Sequence, residues 1–304
     1  MKISISEICD YLNLLGVSCR YTGNSGFIVE GYCDFAETET NCMTWIKNIN
    51  SIGFDSLQLS DSVLYLVDYI ESKETGCENI NVIECENPKE AFFELLKHFF
   101  IKSQIIKIEN DSIIETHNIG KDVSIGHRCF ICEGTVIGNN VSIHHNVIIE
   151  TSAIIGDDSI IWSGVVIGGD SLNFYKNKMN MDVKVPQLKN VIIGKNVEVG
   201  TNSCIDRGCL VDTVIGDNVK IGNLCYIAHN SRIGNNVFVG ANSMILGGAV
   251  ISDNAYIAPG SIIMNHKKVG DSATVGLGSV VMKDVQDKNT VLGIPAKIIK
   301  MMSS

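Results

Sequence analysis

The sequence has little proline, little tryptophan and no run of basic residues, and these shortages narrow the classes of protein it can encode. Its 304 residues include 4 Pro and 2 Trp. Lys and Arg total 24 against 34 Asp and Glu, which gives a formal net charge of −10. Because positive charge is not clustered, neither nucleic acid nor an anionic membrane is expected as a partner.

Long hydrophobic runs are also missing. No stretch of 18 apolar residues occurs, so no membrane span is predicted. The N-terminal segment MKISISEICDYLNLLG is amphipathic and lacks the apolar centre of a signal peptide. Together these absences favour a cytoplasmic protein.

The 11 cysteines form no recognisable disulfide or metal pattern. Several fall where the repeat described below needs a small inward side chain, and we interpret these as reduced core thiols: Cys129, Cys209 and Cys225. The pair Cys129 and Cys132 is formally a C-x-x-C motif, but no second pair lies at zinc-finger spacing. We therefore predict no bound metal.

Residues 1–100 follow no repeat and predict a small α/β domain that binds a nucleotide. Ser4 and Glu7 have the spacing of a capping box before a helix that ends near Leu15. Asn87 and Pro88 open a second helix. Short strands are predicted between the helices, at residues 27–32, 41–46, 63–68 and 79–85, and residues 101–112 are the predicted junction.

From Ile113 onwards an aliphatic residue occupies every sixth position, and the run from Ile221 to Val285 shows this most clearly. An exact period of six fits neither an α-helix nor a flat strand. It is typical of hexapeptide repeats and predicts a left-handed parallel β-helix. Three hexapeptides make one triangular coil, so residues 18 apart stack about 4.8 Å apart.

The predicted β-helix covers residues 113–286, and residues 287–304 form a cap over its open end. The period breaks in a loop at 170–190 and slips at 211–214. An inserted loop in a solenoid is usually functional or an interface, and we assign its Phe174 and Tyr175 to substrate binding. Its lysines either meet phosphates or are simply solvated: Lys176, Lys178, Lys184 and Lys189.

Four motifs lie in the run from Val185 to Gly234, and this run closely resembles LpxD, the glucosamine N-acyltransferase family of lipid A synthesis. The motifs are PQ at Pro186 and Gln187, IDRG at 205–208, DTVIG at 212–216 and IAHN at 227–230. The resemblance implies transfer of an acyl group from a thioester to the amine of a nucleotide-linked amino sugar. It also implies a homotrimer, which fits the closed symmetry of most homo-oligomers.

The resemblance assigns roles to individual residues. The family's catalytic histidine falls on His229, its backbone oxyanion donor on Gly247 and its second histidine on His266. Trp45 falls where an aromatic ring stacks on uracil, although packing in the domain core is an equally good interpretation. Asn48 is assigned to the base edge. The remaining candidate substrate-binding residues are Asn223 and Asn230.

Two departures from LpxD affect the expected acyl donor. The chain stops soon after Gly293-Ile294-Pro295-Ala296-Lys297, an ending that resembles coenzyme-A-dependent sugar acetyltransferases, and its loop begins Asp170-Ser171-Leu172. Gly222 also replaces a residue that is usually acidic. These differences favour acyl-coenzyme A as the donor. The alternative is a UDP-3-O-acylglucosamine N-acyltransferase that uses acyl carrier protein.

Spacing and chemistry support the same three residues independently. His229 and Gly247 are 18 apart, and His266 lies one coil further on, so the three should line one groove. An imidazole suits general base catalysis near neutral pH, and a glycine N–H can stabilise an oxyanion.

Two alternatives of other classes remain at this point. One is a scaffold without catalytic activity, in which His229 is incidental. The other is a metal-dependent hydratase, because His127 and His145 are also 18 apart. That second alternative is weak, since no carboxylate is expected beside these histidines to orient them.

Overall fold

A computed structural model describes residues 2–49, 57, 59–70, 80–101 and 107–300. The chain divides into two compact units, Met1–Gln104 and Ile105–Ser304. Residues 102–106, within the predicted junction, lie outside the described residues. No helix in the described ranges is long and apolar enough to cross a membrane.

The N-terminal unit confirms the predicted helix starts. Helix α1 is Ile5–Leu14, and Ser4 and Glu7 form both hydrogen bonds of the capping box. Helix α2 is Pro88–Leu95, with the Asn87 side chain accepting from the Glu90 N–H, and a π-helical turn continues it over Leu96–Phe100.

A mixed sheet forms the rest of this unit. Strands β4, β5, β6 and β7 run parallel in that order, and β2 pairs antiparallel with β7. The strands are β1 (Ile3–Ser4), β2 (Cys19–Thr22), β3 (Ile28–Val29), β4 (Gly31–Tyr32), β5 (Cys42–Ile46), β6 (Val63–Val67) and β7 (Asn81–Cys85). Strands β6 and β7 are buried along their whole length, as is typical of parallel strands covered on both faces.

The second unit is a left-handed parallel β-helix whose described strands form three walls. The first wall is β10 (Ser124–Ile125), β13 (Ser142–Ile143), β16 (Ile160–Ile161), β21 (Glu198–Val199), β24 (Lys220–Ile221), β27 (Phe238–Val239), β30 (Tyr256–Ile257), β33 (Thr274–Val275), β35 (Thr290–Leu292) and β36 (Lys297–Lys300). The second wall is β8 (Ile113–Ile114), β11 (Phe130–Ile131), β14 (Ile148–Ile149), β17 (Val166–Gly169), β22 (Cys204–Asp206), β25 (Tyr226–Ile227), β28 (Met244–Ile245), β31 (Ile262–Ile263) and β34 (Val280–Val281). The third wall is β9 (Asn118–Ile119), β12 (Val136–Ile137), β15 (Ile154–Ile155), β20 (Val191–Ile193), β23 (Thr213–Ile215), β26 (Arg232–Ile233), β29 (Val250–Ile251) and β32 (Lys268–Val269).

The hexapeptide pattern confirms which side chains fill the prism. From Ile125 onwards the aliphatic residue of each repeat, such as Ile227 or Ile245, is buried, and so is the residue four places on in most repeats. The predicted first residue, Ile113, is instead 62% exposed, because Ile114 takes the inward position opposite Ile131. Buried serines bond to a carbonyl of the next coil, as Ser231 does to Leu246. Each buried Ile or Val contributes about 1.5–3 kcal/mol of transfer free energy, so the stacked Ile and Val side chains stabilise the β-helix.

Both irregularities of the repeat lie at one corner, between the second and third walls. The insertion projects there as a hairpin of β18 (Phe174–Lys176) and β19 (Asp182–Lys184). The slip near residue 211 follows β22 and precedes β23 at the same corner. We call this edge of the prism the irregular corner.

Candidate active site

His229 lies at the irregular corner, directly after β25 of the second wall. Its side chain is half-buried and lies outside the aliphatic core. The parallel pairing of β25 with β28 puts Gly247 on the next coil, and the pairing of β28 with β31 brings His266 one coil further. The structure therefore brings together the three residues that the sequence assigns to catalysis.

The two imidazole rings bracket the Gly247–Gly248 pair. A Cβ atom on Gly247 would lie 2.6 Å from Nε2 and 2.9 Å from Cε1 of His229. A Cβ on Gly248 would lie 2.8 Å from Cε1 of His266. Real Cβ atoms do not approach other heavy atoms so closely, so both glycines are needed to leave room for the rings. Gly248 also has a φ of 67°, which favours glycine.

The N–H group of Gly247 makes no hydrogen bond to any residue that the structure describes. At the corner between the third and first walls, some of the equivalent N–H groups bond to a side chain of the next coil. Asp217 N–H donates to Asn235 Oδ1 at 2.8 Å, and Asn235 N–H donates to Asp253 Oδ1 at 2.8 Å. The Gly247 N–H, by contrast, has no acceptor among the described residues and can donate to a ligand.

The Nδ1 atom of His229 is the second open polar group. It is buried and has no hydrogen-bond partner among the described residues. A buried polar atom without a partner is uncommon in native structures, because losing the hydrogen bond costs free energy.

An acidic residue whose role the motifs did not reveal lies beside His229. Asp206, the second residue of IDRG, is only 8% exposed and accepts a 2.5 Å hydrogen bond from the Tyr226 hydroxyl. Burial raises the pKa of Asp206, while bonds from Tyr226 and Ser171 and the charge of His229 act to lower it. Burial, followed by Asp206, raises the pKa of Tyr226 to about 12.

Models of two protein families match the β-helix. "Bacterial transferase hexapeptide (six repeats)" matches residues 134–169 and 212–247, and "Hexapeptide repeat of succinyl-transferase" matches residues 231–264. A UDP-3-O-acylglucosamine N-acyltransferase of Coxiella burnetii is 53% identical over 73 residues, and that of Dechloromonas aromatica is 49% identical over 73 residues. A segment of 73 residues is therefore LpxD-like.

The matched segment is a part of each protein. It covers 24% of this chain and 21% of the length of those LpxD relatives. Among solved structures, a UDP-N-acetylglucosamine acyltransferase from Campylobacter jejuni is 27% identical, with a TM-score of 0.57 over 63% of this chain and 73% of its own. The Francisella novicida enzyme is 25% identical, with a TM-score of 0.56 over 63% and 68%.

These comparisons support the second of the two interpretations of the sequence, the UDP-3-O-acylglucosamine N-acyltransferase, better than the first. The coenzyme-A-dependent relative was favoured by the sequence, but both LpxD-like relatives carry the name UDP-3-O-acylglucosamine N-acyltransferase, which is the alternative reading.

Two further candidate substrate-binding residues of the β-helix, Asn230 and Asn223, lie at different corners. Asn230 lies at the irregular corner beside His229, where its Oδ1 accepts from the Cys209 N–H at 2.7 Å. Asn223 lies instead at the corner between the first and second walls, and its Oδ1 accepts from the Thr201 N–H at 2.9 Å. The structure therefore does not bring Asn223 to the LpxD-like site, and it gives this amide a place in a corner ladder.

The inserted hairpin carries both predicted aromatic residues at its surface. Phe174 and Tyr175 are about half exposed, opposite Lys184 and Val183 on the other strand. Two of the hairpin lysines are paired with carboxylates, Lys176 with Asp182 at 2.9 Å and Lys184 with Asp170 at 2.7 Å. These pairs favour the solvated-loop interpretation over phosphate binding for both lysines.

In the N-terminal unit, Trp45 is half-buried and packs against the core beneath α2. Its ring lines a cleft of about 340 Å³ with Tyr32, Phe35 and Phe93, and the Lys89 Nζ lies 5.7 Å from the ring centroid. Asn48 follows β5 and has its backbone N–H bonded to Asp68, and it does not line this cleft.

The stacked histidines at the N-terminal end of the β-helix contradict one expectation. His127 and His145 are stacked with their ring centroids 5.3 Å apart, as predicted. A carboxylate does accompany them, however, because Asp111 Oδ1 lies 3.0 Å from His127 Nδ1. Even so, within the described part of the chain no three His, Cys, Asp or Glu side chains are arranged to hold a metal ion.

Proposed function

We propose that the chain is an N-acyltransferase that moves an acyl group from a thioester to the amine of a UDP-linked amino sugar. The observation that carries the proposal is the arrangement at the irregular corner. There, two histidines bracket a glycine pair whose Gly247 N–H is unpartnered in the described chain. The LpxD-like relatives supply the substrate class, a UDP-3-O-acylglucosamine. In keeping with these relatives, the donor is acyl carrier protein, and the trimer stays part of the proposal.

In this mechanism His229 acts as the general base. The amine nitrogen attacks the thioester carbonyl carbon, and a C–N bond forms as the imidazole takes a proton from the amine. The C–S bond then breaks, and the proton passes to the departing thiolate, so that an amide and a free thiol result. A positioned base of this kind contributes about 10²–10⁴-fold to the rate.

Gly247 provides the oxyanion donor. Attack on the carbonyl places negative charge on its oxygen, and a donor fixed in advance stabilises that charge best. The Gly247 N–H is held by the coil and has no competing acceptor in the described residues. His266, on the other side of the glycine pair, can donate to the same oxygen or to the sugar.

Release of thiol from an acyl donor tests the proposal directly. With UDP-3-O-acylglucosamine as acceptor, we expect acceptor-dependent release, and a higher kcat/KM with hydroxyacyl carrier protein than with the matching acyl-coenzyme A. Acetyl, hydroxyacyl and long-chain donors should be compared at one acceptor concentration.

Each contrary result has a definite meaning. A clear preference for coenzyme A would return the chain to the first reading of its sequence. No turnover with any amino sugar and donor would support the scaffold. Turnover that requires added metal, with metal found by elemental analysis, would support the hydratase class.

Trp45 gives a prediction for the nucleotide. If its ring stacks on the base, Trp45→Ala should weaken binding of the UDP-sugar by about 1–3 kcal/mol, measured by titration calorimetry. Trp45→Phe keeps an aromatic face and should lose less. If Trp45→Ala instead lowers the melting temperature and leaves the affinity of the folded fraction unchanged, the ring serves the core.

A further inference from the structure

We infer that Asp206 is a positioning residue for His229, acting through its charge. This inference rests on the proposed function, since it assigns a role to the carboxylate during proton transfer from the amine. The ionised carboxylate stabilises the imidazolium that forms when His229 accepts that proton. It requires no direct hydrogen bond between the two side chains.

Strand pairing places Asp206 next to His229. Strand β22 pairs with β25 so that Ile205 lies opposite Ile227. The next residues along the two strands are Asp206 and Ala228, and His229 follows at the corner. The charge of His229 acts to lower the pKa of Asp206. An ionised carboxylate at this position attracts a positive charge on the ring.

A neighbouring side chain holds Asp206 in place. The Tyr226 hydroxyl donates to Asp206 Oδ2. A carboxylate that is nine-tenths buried is costly for the fold, and such a cost is usually retained where function needs the charge.

Neighbouring acidic residues do not offer the same role. Asp170 acts on Asp206 only by repulsion, and its carboxylate is already bound to Lys184 at 2.7 Å near the surface. Among the described residues, Asp206 is therefore the buried carboxylate on the strand that pairs with the strand before His229.

The decisive variant is Asp206→Asn, which keeps the shape and removes the charge. We expect kcat to fall about tenfold, the scale of one screened charge pair, with KM for the UDP-sugar within about twofold of the native value. Tyr226→Phe keeps the carboxylate and should lose less. The matched control is Asp217→Asn at the corner between the third and first walls. There an amide Oδ1 can still accept from the Lys195 N–H, so this variant should keep the native kcat.

Nuclear magnetic resonance of the ring separates this inference from the proposed function. At pH 7 we expect the ring signals of His229 to move in Asp206→Asn and to stay in place in Asp217→Asn. This readout needs no substrate, so it holds even if no donor and acceptor pair is turned over. Unmoved signals, or a native kcat in a folded Asp206→Asn protein, would overturn the inference.

Thermal stability against pH gives a further readout. Because the pKa of Asp206 is raised in the folded state, this carboxyl contributes stability at low pH, and that contribution is lost as the pH rises above its ordinary value of 3.8. Asp206→Asn should therefore melt at a higher temperature than the native protein at pH 7, with the difference shrinking toward pH 3.8. A variant that melts lower at pH 7 would show that the carboxylate serves the fold.

Discussion

Replacing His229 with alanine should lower kcat by 100-fold or more and leave the β-helix folded. The size follows from the loss of a general base. The fold should survive because the ring lies at a corner outside the aliphatic core, and the Ile227 position that carries the packing is unchanged. The measurement is a steady-state thiol-release assay on a variant whose circular dichroism and melting temperature match the native protein.

The control for this variant is His117→Ala. His117 is an exposed histidine of the same β-helix, and its replacement should leave the rate unchanged. If a folded His229→Ala protein keeps a near-native rate, His229 is not the base, and the proton must leave through the donor sulfur or the substrate itself.

Gly247→Ala should be nearly as damaging, with a loss of about 100-fold in kcat. The added Cβ would lie 2.6 Å from Nε2 of His229, so the ring must move by about an ångström, and a misplacement of that size can cost about 10²-fold. The backbone itself accepts alanine, because the φ of Gly247 is not positive. The expected loss therefore reports the position of the ring rather than strain in the coil.

A double-mutant cycle tests this cause. In the His229→Ala background the clash is gone, so Gly247→Ala should cost little more, and the two effects should be strongly non-additive. Gly169→Ala is the matched control, since its Cβ would meet nothing closer than 3.8 Å. If the two losses multiply instead, Gly247 acts independently of His229, and the steric explanation of the Gly247→Ala loss is wrong.

Local signals predicted the N-terminal helices and the repeat well. Ser4 with Glu7, and Asn87 with Pro88, predicted where the two helices begin, because capping depends on residues three or four apart in sequence. The six-residue period predicted the buried ladder, because each inward side chain has the same surroundings one coil later. Because of the same regularity, the spacing of His229, Gly247 and His266 in the sequence was enough to predict that they lie at one corner.

A fixed step of 18 residues does not predict which residues meet at the irregular corner. Across the slip, paired strands are 22 residues apart, as for Cys204 opposite Tyr226, so a fixed step of 18 does not place Asp206 beside His229. Asn223 is close to His229 in sequence but lies at a different corner of the coil.

The sequence by itself determined the β-helix, its inward residues and the histidine–glycine–histidine stack, because all of these repeat with a fixed step along one chain. Only the tertiary structure decided what surrounds that stack. The bond from Tyr226 to the buried Asp206 depends on which coil ends meet where the repeat is broken. Contacts across an insertion are set by packing in three dimensions, and no period in the sequence encodes them.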